Sequence, residues 1–95
     1  MYTISHQLYI EIADKLWGAI GRKEYFSGSV DLTFGDTECR LVCTLFIERG
    51  RDIEGEGRLA PIKRITPVWW EFHTTQGNEE VLNDFSFKEL FLVAL

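Results

Sequence analysis

Between residues 3 and 20 the apolar positions fall three and four apart, the spacing of one side of an α-helix. Leu8, Ile12, Leu16, Ala19 and Ile20 form one stripe, and Ile10, Ala13 and Trp17 form a second, with Tyr9 between them. Gln7, Glu11, Asp14, Lys15 and Gly18 share one narrow polar sector. Thr3 or Ser5 can cap the first turn, and Gly18 and Gly21 bracket the end. A helix lying on one sheet needs an apolar arc of about 100°. This arc is roughly twice as wide, so a second surface has to cover the excess.

The period then drops to two. In residues 24–34, Phe26, Val30, Leu32 and Phe34 face one way and Ser27, Ser29, Asp31 and Thr33 the other, as in a half-buried strand. Residues 35–38 read as a hairpin loop. Residues 39–48 are apolar on both sides, Cys39, Leu41, Cys43, Leu45 and Ile47 against Val42 and Phe46. That predicts a strand that is central or covered on both faces. Residues 49–61 combine three glycines with many charged side chains and predict an exposed, mobile loop.

Residues 65–75 and 79–85 read as two strands joined at Gly77-Asn78, a dipeptide suited to a two-residue turn. Such a turn pairs 76 with 79, 74 with 81, 72 with 83 and 70 with 85. One face then gathers Trp70, Phe72, Thr74, Val81, Asn83 and Phe85, and the other Trp69, Glu71, His73, Leu82 and Asp84. Asn78 and the acids after it also fit a helix start, so residues 79–85 carry two readings, strand or helix. Ser86 and Glu89 form a capping box ahead of a short apolar helix, 87–95. The expected fold class is α+β: a two-layer domain of a four-stranded antiparallel meander, an N-terminal helix and a short C-terminal helix, in the order αββββα. Residues 1–95 hold one core.

Composition adds a surplus. Thirteen aromatic residues, 14% of the chain, are more than two layers of this size readily bury. The net charge of −5 argues against a nucleic-acid binder, although Arg49, Arg51, Arg58, Lys63 and Arg64 make residues 49–64 locally basic. Residues 65–95 are locally acidic, so copies of the chain could attract one another end to side. Cys39 and Cys43, on one strand, would sit about 13 Å apart and cannot bridge. They read as buried reduced thiols, and no secretory pattern or membrane-spanning run is present. The expectation is a cytoplasmic protein.

Glu71, His73 and Asp84 form the most specific polar cluster. In the inferred register Glu71 faces Asp84 with His73 one step along, a set able to act as acid and base or to hold an ion. A solvated strand face explains it as well, and better, because the sequence locates no cleft or further ligands of the kind such a site usually has. C-x₃-C within a strand is a poor zinc pattern, and no nucleophile elbow or phosphate-cradling glycine loop occurs. No metal or other cofactor is implied. Association remains: His6, Ile10, Ala13 and Trp17 line a helix facet turned from the sheet, and Trp69 lies on the hairpin's wet face. The leading expectation is a non-catalytic protein-interaction or assembly module, a homodimer or the companion of another protein. An enzyme using Glu71, His73 and Asp84 stands second, and a nucleic-acid accessory protein using residues 49–64 third.

Overall fold

A computed structural model describes residues 1–49 and 62–94 of the chain. The element order is α1 (His6–Ile20), β1 (Tyr25–Phe34), β2 (Thr37–Arg49), β3 (Ile62–Gln76), β4 (Glu79–Val81) and α2 (Phe87–Ala94). The sheet is an antiparallel meander in the order β1-β2-β3-β4. This is the α+β class that the alternating periods predict. Residues 50–61, most of the segment read as a mobile loop, lie outside the described residues.

Local chemistry sets the helix ends. The Ser5 hydroxyl accepts from the Leu8 N–H at 3.1 Å, which settles the cap in favour of Ser5. At the other end Gly21 takes φ 55° and donates its N–H to the Trp17 carbonyl at 3.0 Å, a backbone geometry that glycine adopts without strain. On the inner face Leu8, Ile12, Leu16 and Ile20 of α1 interlock with Leu41, Cys43 and Leu45 of β2 and Leu90 of α2, all essentially free of solvent.

The wide apolar arc of α1 has an internal cover. Helix α2 packs beside α1, and on α1 both Ala13, at 5% exposure, and Tyr9 are buried. The Tyr9 ring lies 5.8 Å from that of Phe85, and its hydroxyl accepts from the Ser86 N–H at 3.1 Å. Trp17 packs partly against the core and Ile10 is half-buried, while His6 is exposed. The facet from His6 to Trp17 is therefore core at its centre and open only at its first turn. Strand β2 is central, as read, but among the described residues it is covered on one face only: Phe46 on the other face is 54% exposed.

The last hairpin differs from the reading at its far end. Gln76 pairs with Glu79 and Thr74 with Val81, as the Gly77-Asn78 turn implies, but β4 stops at Val81. Asn and Asp are poor strand formers because their side chains compete for backbone groups. Asn83 does so on three counts: its Nδ2 donates to the Phe72 carbonyl and to Thr74 Oγ1, and its Oδ1 accepts from the Phe85 N–H. The chain leaves β3 there and runs beside the N-terminus, where Tyr2 donates to the Leu82 carbonyl and accepts from the Asp84 N–H. Neither the strand nor the helix reading of residues 82–85 holds.

Candidate functional site

Both helices lie on one side of the sheet, so the other side is bare among the described residues. The alternation of β1, β2 and β3 places distinct chemistry at its two ends. Tyr25, Phe46 and Trp69 occupy one end, 49%, 54% and 47% exposed, with the Tyr25 and Phe46 rings tilted together at 5.2 Å. Register puts them there: Tyr25 faces Phe46, and Trp69 faces Thr44 two residues before Phe46. A register shift between Thr44 and Leu45 admits Val68 as an extra residue, itself exposed.

The other end is ionic. Arg40 reaches across to Asp31, its partner on β1, with Nε at 2.7 Å and a second nitrogen at 3.4 Å from the carboxylate. That pairing raises the Arg40 pKa, first through the hydrogen bond and then through charge. On β3, opposite Arg40, His73 lies between two glutamates. Its Nε2 is 2.9 Å from Glu71, and its Nδ1 is 2.8 Å from Glu80 on β4. The hydrogen bond to Glu71, then that to Glu80, pushes the His73 pKa up. A shallow open depression of about 810 Å³ runs past Asp31, Arg40, His73 and Glu80.

Of the three residues singled out as a chemical cluster, Glu71 and His73 come together and Asp84 does not. Its carboxylate instead accepts from the Ile4 N–H at 2.7 Å and fastens the N-terminus. Glu80 takes the third place. A signal for it existed, because pairing 76 with 79 and 74 with 81 puts residue 80 on the face of residues 71 and 73.

This arrangement favours a protonated ring over a free base or a metal ligand. A neutral imidazole can donate from one nitrogen only, so a ring facing two carboxylates favours the cation. The cation has no lone pair to take a proton or bind an ion. Glu71 and Glu80 approach opposite edges of the ring and do not converge on one point. Among the described residues, no group of three or more His, Cys, Asp or Glu side chains is placed to hold a metal ion. Cys39 and Cys43 are free thiols buried on the inner face. Burial raises both, Cys43 to about 11, which leaves little thiolate near neutrality.

The remaining candidates fall apart in space. His6, Ile10, Ala13 and Trp17 lie on the helix layer, and Trp69 lies on the opposite side of the sheet. Of the basic side chains in residues 49–64, only that of Arg64 is among the described ones, and it is exposed. A second hollow of about 750 Å³, between α2 and β3, is lined by Pro67, Trp70, Phe85, Phe87, Phe91 and Leu92 with Ser86 and Lys88 beside them. No helix among the described residues is long and apolar enough to cross a membrane. Compared with models of known protein families, with curated proteins and with solved structures, the chain matches none.

Proposed function

We propose that the protein is a non-catalytic assembly module that works through contact between protein surfaces, with a copy of itself as the first partner. One observation carries this reading: Tyr25, Phe46 and Trp69 stand half exposed together at one end of an uncovered sheet face. Grouped aromatic side chains on a surface favour a protein contact, where they form the desolvated centre and polar groups form the rim. The ionic end of the same face supplies that rim, with its charges already paired within the chain. The reading as an enzyme loses support, because the histidine has both nitrogens occupied and Asp84 serves the N-terminus.

Light scattering behind size exclusion tests the surface. Wild-type protein should elute with a mass that rises with concentration. Replacing Phe46 and Trp69 by serine, both about half exposed on the outer face, should leave a folded protein with association weakened at least tenfold. Unchanged association in that double variant would remove the outer face as the contact.

A further inference from the structure

We infer that the protein also pairs with a second copy of itself along the free edge of β1, antiparallel, to make one continuous eight-stranded sheet. This contact goes beyond the outer-face reading: it uses a different surface, and each can fail alone.

The backbone of β1 is poised for it. The Ile47 N–H donates to the Glu24 carbonyl at 2.8 Å, so the pair formed by residues 24 and 47 is a hydrogen-bonded one. Pairs alternate along an antiparallel ladder. The N–H and C=O groups of Tyr25, Ser27, Ser29, Asp31 and Thr33 therefore point away from β2. β1 is the first strand in the sheet order, and no described strand lies beyond it.

Natural sheets defend such edges with proline, lysine, bulges, short strands or a covering segment. The opposite edge of this sheet uses several of them. β3 carries Pro67 and the irregularity beside it, β4 is only three residues long with two glutamates, and Asn83 satisfies the Phe72 carbonyl. Among the described residues, β1 has none of these. It runs for ten residues in unbroken register with β2 and holds no proline, lysine or arginine. Its one charge, Asp31, is already tied to Arg40.

The strand pattern makes a second copy the fitting partner. A two-fold axis at Ser29 sets residue 27 against 31 and residue 25 against 33 on the outer face. On the inner face Phe26 meets Leu32 of the second copy, and Gly28 meets its Val30. Every pair then keeps core side with core side, which a one-residue slip would reverse. An axis at Asp31 would put two carboxylates directly opposite, a disfavoured pair. Leu32 and Phe34, only partly buried at the margin of the core, would gain a neighbour across the new junction. About ten backbone hydrogen bonds would form, two for each of the five narrow pairs.

Cysteine cross-linking reads the register. Under mild oxidation, Ser29→Cys should give a disulfide-linked dimer, since narrow pairs hold Cα atoms about 5.5 Å apart, within disulfide reach. Thr33→Cys, offset from its own copy by about 26 Å, should stay unlinked. Ser29→Pro removes an N–H that β2 does not use and should leave a folded chain whose association is weakened tenfold or more. If proline disturbs the fold, Ser29→Lys repeats the test by setting two ammonium groups opposite each other. Equal cross-linking at positions 29 and 33 overturns the proposal. So does a Ser29→Lys protein that associates as the wild type does, and that result leaves the outer-face contact standing.

Discussion

His73 faces a carboxylate at each ring nitrogen, and this makes its charge a property of the fold. Its folded pKa is raised, so the stabilisation it brings is complete below the unfolded value of about 6.5 and fades as pH rises through the folded value. The group is 38% exposed, which limits the effect to about 1 kcal/mol or less. In an NMR titration His73 should titrate above the unfolded value, and Glu71→Gln should bring it down. His73→Gln should flatten the fall in Tm that accompanies that titration. A midpoint at or below the unfolded value would contradict the geometry. The sequence pointed to Glu71 and His73, because residues two apart on a strand share a face. It misassigned Asp84 because its carboxylate binds the Ile4 N–H, 80 positions away, a distance no local pattern encodes.

At the scale of elements, periodicity carried most of the fold. The two-residue turn at Gly77-Asn78 set the pairing at its own mouth, and the helix ends followed from Ser5 and Gly21. What it could not set was the length of β4, which ends where Asn83 ties residues 72, 74 and 85 together. Asn83→Ala removes all three bonds and leaves the Phe72 carbonyl and the Phe85 N–H short of a partner, while the Thr74 hydroxyl keeps its bond to the Val81 carbonyl. The cost of such orphaned groups is about 1–3 kcal/mol. Urea unfolding should show a lower midpoint with an unchanged slope; an unchanged midpoint would mean that Asn83 does not hold this corner. Helix α1 teaches the converse. Its surplus apolar arc was legible, but its cover, α2, depends on where a distant segment docks.

For the whole molecule, two layers leave one sheet face bare and the β1 edge without a partner strand among the described residues. Thirteen aromatic side chains made the surplus visible in composition, yet only the register shows which of them gather at one end of the open face. A contact that buries them has to bring in another surface, and self-association is the reading that needs no further component. Sedimentation equilibrium of the wild-type chain at micromolar to hundred-micromolar concentration measures this most directly. The account predicts a weight-average mass that climbs from the 11.0 kDa of one chain to twice that value or beyond. A mass that stays at one chain across the whole range would contradict it.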